Sequence, residues 1–192
     1  MSGNERSDAG QFAVPLTEEV RRALSFQSYA HGEAIDGVCQ QPLRKHRSEN
    51  GWFVELYRMG ESGVEGLSAA DDFALKQASV SFAEPGRINA FHIHPLIPQD
   101  ELWTVVQGQL LVWLVDCREK SATSGVRQRF TLSGEAPSVL RIPAGVAHGY
   151  RSGASGALLI YGMNQQFDAD QPNEGRLPWD FFGADLWNED RG

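Results

Sequence analysis

From residue 51 onward the chain alternates short apolar runs with clusters of Gly, Pro and Ser, the punctuation of an all-β protein. Runs rich in Val, Leu, Ile and aromatics predict strands near Gly51–Arg58, Phe73–Phe82, Ile88–His94, Glu101–Val106, Gln109–Cys117, Arg127–Leu132, Val139–Ile142, His148–Ser152 and Ala157–Met163. Val106-Gln107-Gly108-Gln109 predicts a tight hairpin turn between two of these strands. Ahead of them, Leu16–Ala30 carries a helical pattern, with Thr17 as N-cap, Glu18 and Glu19 behind it, and Val20, Leu24 and Phe26 as an apolar stripe. Many short strands without alternating helices favour a sandwich or barrel over a doubly wound sheet. Three segments are expected: residues 1–35 as an arm with the helix, 36–170 as the β domain, and 171–192 as a tail. Trp179, Phe181, Phe182 and Trp187 make that tail too aromatic for a free linker, so it is expected to pack on the domain.

Composition narrows the function. At 192 residues with 41% hydrophobic positions there is material for one real core. Seventeen Lys and Arg against 25 Asp and Glu leave a formal charge of −8, which argues against nucleic acid or an anionic membrane as partner. No apolar run is long enough to span a bilayer, and the start MSGNERSDAG does not read as a secretory signal. Cys39 and Cys117 form no CxxC pair and no disulfide framework, so a cytoplasmic location is the expectation.

Three of the five histidines fall in two short motifs. The first runs Gly86-Arg-Ile-Asn-Ala-Phe-His92-Ile-His94, followed by Glu101 and Gly108; the second is Pro143-Ala-Gly145-Val-Ala-His148. Residues i and i+2 of a strand share a face, so His92 and His94 can converge. A turn over Pro95–Asp100 can return the Glu101 carboxylate beside them, and the Pro-Gly turn delivers His148. Three imidazoles and a carboxylate suit a divalent first-row metal such as Fe, Mn, Ni, Co or Zn. Ordinary buried histidines satisfied by hydrogen bonds are the plainer alternative.

The two motifs resemble the G(X)5HXH…E(X)6G and PXGXXH signatures of the cupin superfamily, with six residues between His94 and Glu101 where the usual pattern has three or four. A second resemblance, over most of residues 36–187, is to the dTDP-4-dehydrorhamnose 3,5-epimerase family, itself a cupin-type jelly roll. It is carried by Glu49–Glu55, Ile88–His92, Val105–Gly108, Val115–Arg118, Ile142–Tyr150, Tyr161 and the Glu174-Gly175…Trp179-Asp180 tail. The fold this implies is an all-β cupin-type jelly-roll barrel or sandwich, with the short N-terminal helix and the aromatic tail added. The resemblance also implies His92 as the base that removes a proton next to a ketone, Tyr161 as the opposing acid, Gln77 as a nucleotide contact and Asp116 as an acidic residue near the site. Asn89, Trp103 and Tyr150 complete the candidate substrate-binding set, although core packing is the simpler account of Trp103, and strand capping of Asp116. Family members are homodimers whose N-terminal strands cross to the partner sheet, and a homodimer is expected here.

The departures from the family are as informative as the matches. Its phosphate-binding arginines fall at Asn50 and Asn89, the lysine that opens the next strand is Glu101, and the glutamine two residues after the histidine is His94. A carboxylate where an anion should lie is repulsive. The family's late aspartate, which orients its histidine, has no clear counterpart in these residues. The expected function is therefore a metal-binding, epimerase-like isomerase. It would act on a small carbonyl or sugar-like substrate, with the metal held by His92, His94, Glu101 and His148. A metal-dependent oxygenase and a non-catalytic sugar-binding module are the alternatives.

Overall fold

A computed structural model describes residues 12–26, 32–61, 63–70 and 72–188. The chain divides into two compact units, Met1–His31 and Gly32–Gly192. In the first, helix α1 covers only Glu18–Ala23, capped by the Thr17 hydroxyl, which accepts from the Val20 N–H. Leu24 is already extended and none of the helix residues is buried, and a helix with no buried face is marginal beyond a turn or two. The rest of the expected helix, residues 27–30, lies outside the described residues.

The second unit holds the strands. In chain order they are β1 (Cys39–Pro42), β2 (Lys45–Ser48), β3 (Gly51–Val54), β4 (Arg58–Met59), β5 (Val64–Glu65), β6 (Gln77–Ala83), β7 (Ile88–Ile93), β8 (Glu101–Asp116), β9 (Arg127–Ser133), β10 (Ser138–Ile142), β11 (Val146–Met163) and β12 (Gly175–Arg176). All pairings are antiparallel. The long strands β8 and β11 run beside each other, and each serves two layers. Their first and last halves respectively make one layer, β1–β10–β8–β11–β6. The remaining halves make the other, β9–β8–β11–β7–β12. This is the jelly roll expected from the motifs.

The expected hairpin at Val106–Gln109 is absent: β8 passes straight through it. Its pairing with β11 slips instead, from Leu158↔Gln107 to Leu159↔Val105, and again between Ser152 and Ala157. Gly108 has φ +73, and a Cβ there would collide with the Gly156 carbonyl. A bulge and a two-residue turn both demand glycine in this conformation, so the local sequence does not distinguish them. The bend lets one strand turn the corner between the layers.

Alternation along β8 builds two cores. Val105, Leu110, Val112 and Leu114 point between the layers, with Leu132, Leu140, Ile142 and Leu159. Ile35, on the arm side of the expected boundary, is buried in this core. Trp113 and Val115 point outward, where the tail covers them. Trp187 packs with Phe91, Val115 and Ala147, and the Trp113 indole donates to the Leu186 carbonyl at 2.7 Å. Burial on both faces explains why Leu110–Val115 is an unbroken apolar run.

Candidate active site

A cavity of about 510 Å³ opens between the layers and is lined by β6, β7, β8, β11 and residues 165–176. The period-two alternation aims Gln77, Ser79 and Ser81, then Glu101 and Trp103, then Leu159, Tyr161 and Met163 into it. On the opposite layer His148 and Tyr150 face it from β11. Across from them β7 carries one extra residue: His148 pairs with His92, but Tyr150 pairs with Asn89. The bulge turns both Asn89 and His92 inward. Gly149 makes room for it, since a Cβ there would strike Ala90.

Two histidines of one layer meet a buried carboxylate carried by the other. His94 Nε2 lies 2.9 Å from Glu101 Oε1, and His148 Nε2 lies 3.8 Å from Glu101 Oε2. Ligand atoms of these three residues all fall within 4.8 Å of one another. Glu101 also accepts from the Gln99 amide at 2.9 Å and the Trp103 indole at 2.6 Å. Burial raises the carboxyl's pKa, but His94, His148 and Trp103 overcome that and hold it down to about 2. Burial likewise lowers the pKa of His94, yet its contact with Glu101 carries it above the ordinary value. His148, the most deeply enclosed, is pushed down by burial and by the neighbouring His94, against the pull of Glu101.

The six residues between His94 and Glu101 form a braced turn. Asp100 accepts from the Ala144 N–H and pairs with Arg141, while the Asn173 side chain accepts from the Leu96 and Ile97 N–H groups. The long spacing is therefore an ordered connection that still brings His94 and Glu101 together.

His92 stands apart from that cluster. Its Nδ1 lies 3.1 Å from Glu174 Oε1 and its Nε2 lies 3.0 Å from Asn89 Oδ1. Desolvation, then the neighbouring His148, lower its pKa to about 4, so it is neutral at physiological pH. Tyr161, on the other layer, is pushed up by burial and by the Glu101 charge, so its hydroxyl stays protonated. A neutral imidazole and a protonated phenol thus face one cavity from opposite walls.

Of the remaining expected residues, Gln77, Asn89, Trp103 and Tyr150 line the cavity. Asp116 does not. It sits at the end of β8, accepting from Arg118, Ser121 and Thr123, and the Arg118 guanidinium holds its carboxyl well below the usual range. Its function is to tie down the 117–126 turn. Asn50 lies in the turn between β2 and β3 and does not line the cavity. Sequence reasoning missed Glu174 and Asn173 as site residues. Glu174 stood among the tail positions resembling the family, but only the pairing of β12 with β7 brings it to His92.

The jelly roll carries a histidine and a tyrosine on opposite walls of its interior cavity. The family model described as dTDP-4-dehydrorhamnose 3,5-epimerase matches residues 33–181. The chain belongs to that family, which places it among the isomerases. The spore coat polysaccharide biosynthesis protein SpsL of Bacillus subtilis is 41% identical over 147 residues, 76% of this chain and 91% of that protein. A dTDP sugar isomerase from Desulfovibrio desulfuricans superposes with a TM-score of 0.65 at 26% identity, over 81% of this chain and 91% of that one. The fold is also that of ChmJ, a 3'-monoepimerase from Streptomyces bikiniensis solved with dTDP-quinovose, at 23% identity and a TM-score of 0.66 over 82% and 76% of the two chains. None of these relatives supports the oxygenase or the binding module. Among the described residues no helix is long and apolar enough to cross a membrane.

Proposed function

We propose that the protein epimerises a keto-sugar carried on a nucleotide, using His92 as base and Tyr161 as acid. The observation that carries this reading is the placement of the two groups on opposite walls of one cavity, with opposite shifts. His92 Nε2 removes the proton from the carbon next to the ketone, and the electron pair of that C–H bond moves to the carbonyl oxygen. Tyr161 returns a proton to the same carbon from the other side, which inverts it. The phenolate then recovers its proton through solvent while His92 releases the one it took.

The donor chemistry of the second cluster fits a divalent metal. Both His94 and His148 face backbone carbonyls through Nδ1, of Asn173 and Val146 respectively, which turns their Nε2 lone pairs toward Glu101. His94 Nε2 is buried and makes no hydrogen bond. His94, Glu101 and His148 would hold Fe, Mn, Ni, Co or Zn, and the ion would supply Lewis acidity toward the carbonyl oxygen. His92 is left out of that set and free to act as base. Metal analysis of protein purified without chelator or metal-affinity steps tests this; a metal-free, fully active preparation would overturn it.

Recognition is shifted from the diphosphate toward the sugar. Asn50, Asn89 and Glu101 replace the family's cations, and of the two arginines on the cavity lining Arg176 is tied to Glu174 at 2.8 Å. Arg87 is the other. dTDP alone is therefore expected to bind at about millimolar, roughly −4 kcal/mol; micromolar binding by calorimetry would show a rebuilt clamp. The decisive experiment is uptake of deuterium from D2O into dTDP-4-dehydrorhamnose next to its ketone. Parent protein should catalyse it, and Tyr161→Phe should slow turnover by about 100-fold. A homodimer is part of the same proposal. The exposed Trp52 and Phe53 on the β2–β3 hairpin and Val80 and Phe82 on β6 support it; a monomer mass by light scattering at micromolar concentration would overturn it.

A further inference from the structure

We infer that Ser79 is the positioning residue of Tyr161: Gln77, locked in turn by the backbone at Phe167, leaves the Ser79 hydroxyl proton for the phenol oxygen. This rests on the epimerase reading for what the phenol does, but the order of the hydrogen bonds stands independently.

The order follows from one unambiguous donor. The backbone N–H of Phe167 can only donate, and it reaches Gln77 Oε1 at 2.9 Å. That fixes which end of the Gln77 amide is which, so its NH2 group faces the other way and donates to Ser79 Oγ at 3.0 Å. A hydroxyl has one proton. With Gln77 bonded to a lone pair of the Ser79 oxygen, that proton is left for another acceptor. β6 pairs with β11 so that Ser79 lies directly opposite Tyr161, and both face the cavity. The Ser79 hydroxyl hydrogen-bonds the phenol and favours its ionised form, the sense expected when the serine donates. Both ends of the Gln77 amide are thus engaged within the cavity wall, an internal role in place of the nucleotide contact that the family resemblance implied.

The reaction gives this donor its use. When Tyr161 hands its proton to the sugar carbon, its oxygen is left anionic in a half-buried position. Burial and the charges of Glu101 and Glu174 all work against a phenolate there. To the neutral phenol the Ser79 bond is an ordinary one; to the phenolate it becomes charge-assisted and about twice as strong. The gain therefore falls on the step that makes the anion rather than on binding. Ser79 keeps its own proton throughout, and solvent returns the one the phenol lost.

The test combines carbon-13 NMR of ring-labelled tyrosine at neutral pH, with the Tyr161 signal assigned through Tyr161→Phe, and kinetics of deuterium uptake into dTDP-4-dehydrorhamnose. Ser79→Ala should shift the Tyr161 signal and lower kcat about 20-fold with KM within about threefold. Ser79→Thr keeps the hydroxyl on a strand that suits a β-branched side chain, and should restore kcat to within about threefold of the parent. Gln77→Glu keeps an acceptor for the Phe167 N–H but offers Ser79 a carboxylate in place of a donor. The serine proton should then turn away from Tyr161, and kcat should fall as in Ser79→Ala. This variant also decides the matter if Ser79→Ala fails to fold. In a Tyr161→Phe background, Ser79→Ala should cost nothing further, because it acts through Tyr161. An unchanged Tyr161 signal and kcat in Ser79→Ala would overturn the inference, as would an effect of Gln77→Glu confined to KM, which would make Gln77 a substrate contact. If Tyr161→Phe is as active as the parent, the acid assignment falls, while the NMR signal still judges the hydrogen bond itself.

Discussion

His92 and His94 are two residues apart, both largely buried, and both lie beside a carboxylate, yet they are in opposite states. His94 meets Glu101 deep between the layers, at 9% and 5% side-chain exposure, and becomes one end of a buried ion pair. His92 meets Glu174 near the edge, where desolvation first, and then His148 and Arg176, outweigh the carboxylate and keep it neutral. Residue type and spacing are the same; the difference lies in the other charges each ring faces. The inner cluster is suited to holding charge or a cation, and the outer pair to moving a proton.

The sharpest way to break this contrast is to exchange the roles chemically. His92→Asn should abolish deuterium uptake by about 1,000-fold while leaving metal content as in the parent. His94→Gln should do the reverse, losing bound metal because an amide oxygen is a poor substitute for imidazole. Equal metal content in His94→Gln and parent would dissolve the distinction between the two regions.

Next in size is the stability carried by the inner cluster. Glu101→Gln removes one partner of a buried pair and leaves His94 and His148 without their counter-charge. Denaturant unfolding of metal-free protein should show a loss of about 3–5 kcal/mol. Glu174→Gln, at the more open contact, should lose far less.

The smallest effect, and the finest test, is the pH dependence of that unfolding in metal-free protein. His92 has its folded pKa lowered from 6.5 to about 4, so its contribution is present above pH 6.5 and lost as pH falls toward 4. Glu101, lowered from 4.5 to about 2, contributes above pH 4.5 and is lost below that. His94 is raised, so its contribution is present below pH 6.5 and lost as pH climbs through its elevated value. His92→Asn should therefore flatten the curve between pH 6.5 and 4, and His94→Gln the alkaline side. The same flattening from both variants would mean that the two rings titrate as one unit.

Much of the fold was readable in advance, for a physical reason. Alternation along Gln77–Ala83 and the apolar runs of β8 and β11 report burial directly, so strand positions and a sandwich or barrel followed from them, while the jelly roll was what the family resemblance implied. The hairpin at Gly108 was misread because a bulge and a turn require the same glycine. The helix was read too long because Val20, Leu24 and Phe26 of its apolar stripe all stay exposed. Asp116 looked like a site residue because its neighbourhood resembles the family's, but side chains several residues away claim its oxygens.

For the site, two motifs and strand periodicity named three imidazoles and one carboxylate, and the family resemblance added the phenol of Tyr161. Their different surroundings come from contacts between segments distant in the chain. β12 lying on β7 gives His92 its carboxylate, and the β7 bulge opposite Gly149 turns Asn89 beside it. His94, His148 and Trp103 keep Glu101 ionised against the cost of its burial. Spacing along a chain determines which groups can share a face. Protonation and role depend on the electric field at each ring, and that field is a sum over partners that only folding brings together.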